Sequence, residues 1–215
     1  MCNEALFFAH SAVVALSVVL ALRSSYSALL AVLGLQLILA NLFVTKQIIL
    51  FGIETTCSEV FIVGGMYGIA LIRAYWGDRV AQQTVWYLFG FLLLFVGCAQ
   101  LQQWYVGLDA QVATLFSLLC DTTPRLLGAS VLAYLVSERV HLYTTKFLRR
   151  WLSPFSASIG AIGMGQLVDT VVFGVVGLYG LVESLGSVML FSGIVKAVVL
   201  VVMTPLLTVT KKVVA

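Results

Sequence analysis

The chain has 215 residues, of which 61% are hydrophobic and 10% charged, whereas an ordinary soluble domain is roughly 45–50% apolar and 25% charged. A soluble core cannot absorb that excess, so residues 1–215 are expected to form a single integral membrane domain, with room for at most about eight spans of about 20 residues. The net charge of +3 does not describe a nucleic-acid surface, because the basic residues sit between apolar runs, where membrane orientation accounts for them.

Charge clusters and Gly/Pro punctuation divide the sequence into seven apolar segments, with boundaries good to about four residues. The first, Ala5–Leu22, follows Met1-Cys2-Asn3-Glu4. It lacks the positive flank of a signal peptide and is expected to be a retained helix. The second, third and fourth are Ala28–Phe51, Cys57–Tyr75 and Thr84–Tyr105. Ala110–Cys120 is apolar but too short to span, and is expected to be a re-entrant or interfacial piece. The fifth segment, Pro124–Leu142, is announced by Asp121-Thr122-Thr123-Pro124, capping side chains followed by proline at the first helical turn. Ala157–Tyr179 and Ser187–Val209 complete the set. The expected fold is therefore an all-α polytopic bundle of about seven transmembrane helices, with a short segment before the fifth.

Seven spans also segregate the charges. The loops after spans one, three, five and seven hold Arg23, Arg73, Arg79, Arg139, Lys146, Arg149, Arg150, Lys211 and Lys212, nine of the twelve basic residues. The other side receives Glu4, Glu54, Asp109, Asp121 and Glu183. By the positive-inside rule the N-terminus lies outside and the C-terminus inside, and a cytoplasmic (inner) membrane is expected. Tyr75, Trp76, Trp104, Tyr105 and Trp151 stand at span ends as interfacial anchors. Small residues four apart, Gly64/Gly68, Ser156/Gly160 and Ala161/Gly165, make faces for close helix packing, with a hinge as the competing reading. Cys2, Cys57, Cys98 and Cys120 show no Cys-x-x-Cys spacing and read as small packing residues.

The polar residues inside the spans carry the functional reading. Lys46 lies in the outer part of span two, Glu59 near the outer start of span three, Arg125 at the outer start of span five, and Asp169 and Lys196 near the middle of spans six and seven. A charge at bilayer depth costs several kcal/mol and must face protein or water. Asp169 and Lys196 are expected at the midplane, with Lys46, Glu59 and Arg125 ringing an outer vestibule. Two plainer readings compete: a structural salt bridge for the deep pair, and snorkelling for Lys46 and Arg125. Asn41, Gln47 and Gln166 add amide groups, which favours a solute pathway over a single packing pair. The sequence holds no Gly-x-Ser-x-Gly elbow, His-Glu-x-x-His pair or P-loop, and His10 and His141 are isolated. No catalytic residue, metal or cofactor is expected, and ATP hydrolysis would have to come from a partner.

These residues fall in blocks that resemble the queuosine precursor transporter family, importers of 7-deazaguanine bases. The likeness runs from about Gly34 to Pro205. It begins with Ala40-Asn41-Leu42-Phe43-Val44-Thr45-Lys46-Gln47 and Leu50-Phe51-Gly52, then passes through Tyr75-Trp76-Gly77. It continues with Pro124-Arg125-Leu126-Leu127-Gly128-Ala129-Ser130 and Ala133-Tyr134, and ends in Gly165-Gln166-Leu167-Val168-Asp169-Thr170 with Lys196. The resemblance implies inward transport of queuine or another deazaguanine in service of tRNA-modification salvage. On that reading Asp169 or Glu59 accepts the paired donors of the guanine-like edge. Asn41 and Gln166 answer other ring positions, and Phe43, Tyr67 or Phe173 stack on the base. Lys196 either holds Asp169 ionised or donates to the solute. Where many members carry acidic residues in the third span and after the fifth, this chain has Ala70, Ala74 and His141, which favours facilitated over proton-coupled entry.

Three functions follow as alternatives: a secondary or facilitated transporter, a substrate-binding membrane subunit of an ATP-driven vitamin-type importer, and an assembly factor whose polar residues are helix glue. The expected partners are a small nucleobase solute and membrane lipid, with a homodimer also compatible and nucleic acid not expected.

Overall fold

The structure, a computed structural model, describes residues 3–198. Pro205, Lys211, Lys212 and the last part of the seventh apolar segment lie outside the described residues. The chain runs α1 (Asn3–Ser24), α2 (Tyr26–Phe43), a hairpin of β1 (Gln47–Leu50) and β2 (Ile53–Thr56), α3 (Glu59–Trp76) and α4 (Asp78–Gln102). It continues with a short α5 (Ala110–Cys120), α6 (Thr123–Leu148), α7 (Pro154–Phe173) prolonged by a π-helical turn (Gly174–Leu178), and α8 (Leu185–Val198). This is an all-α membrane bundle. By length and composition Asn3–Ser24, Tyr26–Phe43, Asp78–Gln102 and Gly160–Leu178 can each cross a membrane.

The helices start where side chains can satisfy their free N–H groups. Ser25 Oγ accepts from the Ala28 N–H at 3.0 Å. Asp109 accepts from Gln111 and Val112 at 2.8 and 3.2 Å, opening α5 over the short segment expected there. Ser153 caps α7, and Pro154 stands in its first turn. At α6 the proline sits as expected, but Thr122 makes no cap bond and Thr123 Oγ1 donates back to the Cys120 carbonyl at 2.7 Å.

The second apolar segment does not stay helical to Phe51. α2 stops at Phe43, and an antiparallel pair follows with Gln47 opposite Thr56 and Leu50 opposite Ile53. Its two-residue turn, Phe51 (φ 51°) and Gly52 (φ 77°), has the positive φ at both positions that a tight hairpin of right-handed twist requires. Ile48, Ile49, Ile53, Thr55 and Thr56 are β-branched and suit extended backbone. Apolarity alone could not separate such a run from the end of a helix.

The long helices turn residues inward at three- to four-residue spacing, as Ala81, Thr84, Leu88, Leu92, Val96 and Ala99 do on α4. The core between α1 and α4 is built on Val18, Leu29, Leu33, Leu71 and Ile72. Outward faces carry Leu16 and Leu20, or Phe91, Leu93 and Leu94, a pattern suited to hydrocarbon rather than water. The small-residue faces do bring helices close. A Cβ on Gly68 would fall 2.3 Å from a Leu33 methyl, and one on Gly165 would meet Ser137 O and His141 Cβ of α6 at 3.5 Å.

Hydrogen bonds sort the elements to two ends. Gln82 of α4 reaches Glu138 of α6 at 3.3 Å, and Arg73 pairs with Asp78 at 3.0 Å across the α3–α4 turn, so these basic segments share one end. At the other end the hairpin is tied to α1 by Asn3 to the Ile49 carbonyl and by the Phe51 N–H to Glu4. It is tied to the turn before α8 by Gln47, whose amide donates to the Leu181 carbonyl and accepts from the Glu183 N–H.

Candidate functional site: a polar patch in an apolar cavity

A cavity of about 270 Å³ opens among α2, α3, α4, α6, α7 and α8, close to the roughly 300 Å³ lower end of small-molecule pockets. Most of its wall is apolar, with Leu37, Ile62, Phe89, Phe173, Leu178 and Met189 among the lining residues. The charged groups of the lining, Glu59, Asp169 and Lys196, stand on α3, α7 and α8.

Helical spacing explains the gathering. Val188, Ser192 and Lys196 recur four apart on α8 and all line the cavity. Asp169 and Thr170 are adjacent on α7, and Lys196 Nζ donates to both, at 2.7 Å to Asp169 Oδ2 and 3.0 Å to Thr170 Oγ1. Thr170 Oγ1 in turn donates a hydrogen bond to the Gln166 carbonyl at 2.9 Å. The ammonium is thus held by a carboxylate and a hydroxyl. Its side chain is 7% exposed, against 30% for Asp169, so the acid retains free surface on the cavity while the base does not.

Glu59 opens α3 at the same cavity and is 2% exposed. Ser192 donates to its carboxyl, while Oε2 is buried without a hydrogen-bond partner. Its neighbour Ser58, which precedes the helix, makes no cap bond because its hydroxyl is engaged with Thr56 Oγ1 of the hairpin at 2.6 Å. Asn41, in the last turn of α2, lines the cavity and commits one amide hydrogen to the Leu37 carbonyl at 2.9 Å.

Four of the eight residues singled out from sequence, Asp169, Lys196, Asn41 and Glu59, therefore meet in one cavity. Gln166, Arg125, Lys46 and Gln47 are not among its lining residues. Gln166 contributes its backbone carbonyl, through Thr170. Arg125 is exposed and spends its guanidinium on the carbonyls of Val176 and Tyr179, at 3.0 and 2.6 Å, closing the end of the π-helical turn. Lys46 is exposed, and Gln47 ties down the hairpin. Of the three residues expected to ring a vestibule, Glu59 lines the cavity while Lys46 and Arg125 are exposed outside its lining. Of the expected stacking residues, Phe173 lines the cavity, Tyr67 is packed in the α1–α4 core, and Phe43 stacks on Phe61 at 5.9 Å. Phe89 and Tyr134, with ring centres 5.5 Å apart, supply aromatic wall instead. Ser192, Ser58, Ser130 and Tyr134 were not singled out. Ser192 lies four residues before Lys196, and Ser130 and Tyr134 fall inside a block already read as family-like, so helical phase relative to those residues was the available signal.

The arrangement can hold a small planar solute. Its carboxylates can accept hydrogen bonds, its hydroxyls and amide can donate or accept, and its aromatic and aliphatic walls can cover ring faces.

Residues 60–210 match the family described as "Putative vitamin uptake transporter". The chain is also 25% identical over 158 residues to a protein of Bacillus subtilis (strain 168) named "Probable queuosine precursor transporter", covering 69% of this chain and 67% of that one. No solved structure matches it. The matched span begins at the second residue of α3, just after Glu59, runs through α8 and includes Asp169 and Lys196.

Proposed function

Since the chain belongs to the "Putative vitamin uptake transporter" family and is a membrane transporter, we propose that its solute is a queuosine precursor, queuine or another 7-deazaguanine base. Movement is inward across the cytoplasmic membrane by secondary or facilitated transport, with the N-terminus outside. The observation that carries this reading is the cavity in which Asp169, Glu59, Asn41 and Lys196 meet among aromatic walls. The guanine-like edge of the base offers a ring N–H and an amine side by side, and a carboxylate accepts both. Asp169 suits that role because its partly exposed carboxylate is neutralised on one oxygen by Lys196. Phe173, Phe89 and Tyr134 can cover the ring faces. The relative in Bacillus subtilis supports the choice of solute through its name.

The test is uptake of labelled queuine or 7-aminomethyl-7-deazaguanine by cells that have no route of their own. Uptake is expected with this protein and is expected to fall at least about tenfold in Asp169→Asn, the loss of one charge-assisted contact. Unchanged uptake in a well-expressed Asp169→Asn variant would remove the assigned role. Purified protein in liposomes separates carriage from capture: binding without carriage would make the chain the capture subunit of a larger importer.

A further inference from the structure

The ionisable groups of the cavity do not balance. Among the described residues its lining has two carboxylates, Glu59 and Asp169, and one ammonium, Lys196. That ammonium is committed, 2.7 Å from Asp169 Oδ2 and 3.0 Å from Thr170 Oγ1. The other carboxylate is buried to 2% exposure with Oε2 unpartnered, and its companion Ser192 can satisfy only part of it. Lys196 lends Glu59 only a through-space attraction, its hydrogen bonds being spent on Asp169 and Thr170, so the cost of burying this carboxylate is relieved most by a cation that brings its own N–H donors.

We infer that the cavity selects a planar solute bearing a positive charge, and that Glu59 is the residue that receives that charge. Asp169, neutralised by Lys196, is left for the uncharged donor edge of the ring. The inference deepens the proposed function and rests on it for the ring system: among 7-deazaguanines it selects one whose 7-substituent ends in a protonated amine. A neutral substituent leaves Glu59 Oε2 with at most a neutral partner, and an anionic one sets two like charges together in an apolar enclosure.

The test is ligand binding to the purified full chain at fixed neutral pH, with two matched series. The first keeps the ring and changes the charge at position 7: 7-aminomethyl-, 7-cyano- and 7-carboxy-7-deazaguanine. The second carries the same three charges on an unrelated ring: benzamidinium, benzamide and benzoate. In both, the cation is expected to bind at least about tenfold more tightly than the neutral compound and the anion most weakly, in keeping with a charge-assisted contact against a neutral one. In Glu59→Gln the ratio of the cation's affinity to the neutral compound's is expected to shrink at least about tenfold. A neutral deazaguanine binding as tightly as the cationic one overturns the charge inference and leaves the deazaguanine reading standing. Deazaguanines that fail to bind, beside a benzamidinium series in the expected order, remove that reading and leave the charge inference standing. No binding in either series overturns both. If Glu59→Gln does not fold, the wild-type ranking decides by itself.

Discussion

Lys196 satisfies two partners on α7 from one position on α8, so its removal strands more than one group. Lys196→Met would leave Asp169 without its counter-charge and Thr170 without its donor. Breaking a fully buried pair costs about 3–5 kcal/mol; because Asp169 keeps 30% of its side chain exposed, roughly 1–3 kcal/mol is expected after screening. Adding Asp169→Asn to Lys196→Met should recover most of that loss, read as the thermal midpoint in detergent, while ligand binding stays absent. Recovery of binding in the double variant would reduce the pair to helix glue. Arg125 makes the opposite case. Its guanidinium serves the carbonyls of Val176 and Tyr179, so Arg125→Ala is expected to cost roughly 1–3 kcal/mol and to leave ligand affinity unchanged in a binding titration. A tenfold loss of affinity there would put Arg125 back at the site. The sequence marked both residues as charges inside apolar spans, with snorkelling as the competing reading for Arg125. Which partner each takes depends on helix rotation and on the π-helical turn, neither of which a charge in an apolar run discloses.

At the scale of elements, α3 lies close to α1 and α2 because Gly64 and Gly68 offer no side chain at the contact: added Cβ atoms would press on Val14 and Gln36, and on Leu33. Gly68→Ala is expected to destabilise by about 1–3 kcal/mol, the usual cost of overpacking, and to do so without altering the order in which ligands bind. Thermal unfolding with and without ligand checks both parts. Elements bounded by charges were legible in place, as α5 shows by beginning at Ala110 and ending at Cys120 where the apolar run does, although α4 begins at Asp78 rather than Thr84 and α6 runs on to Leu148 rather than Leu142. The hairpin was not legible, because Gln47–Thr56 lies beside an apolar span and carries the same hydrophobic signal. The clue was the Phe51-Gly52 turn between β-branched runs, and it becomes decisive only when both residues are seen at positive φ. The π-helical turn leaves no trace in apolar periodicity at all.

For the whole molecule, the two ends defined by hydrogen bonds can be placed on the two sides of the membrane. In a background lacking Cys2, Cys57, Cys98 and Cys120, a membrane-impermeant maleimide added to intact cells is expected to label Ile49→Cys on the hairpin and not Arg150→Cys, both sites being exposed. The reverse pattern would invert the orientation. Composition and charge were enough for the bundle and for the segregation of basic turns, since both follow from what lipid tolerates. The meeting of Asp169 with Lys196 was legible from depth, whereas the arrival of Glu59 in the same cavity depended on the hairpin that delivers the start of α3. The turn at Gly174–Leu178 gives the molecule one more property. An α-helix advances about 100° per residue, and a π turn holds one residue more than the α turn it replaces. Because the wider turn takes up that residue within itself, α7 keeps nearly the phase of an unbroken α-helix relative to Tyr179 and Arg125, and deleting a single residue there would restore the α turn. Asp169 would then still face Lys196, so this one turn is the place in α7 where a residue can be lost without turning the ion pair at the centre of the bundle away from its partner.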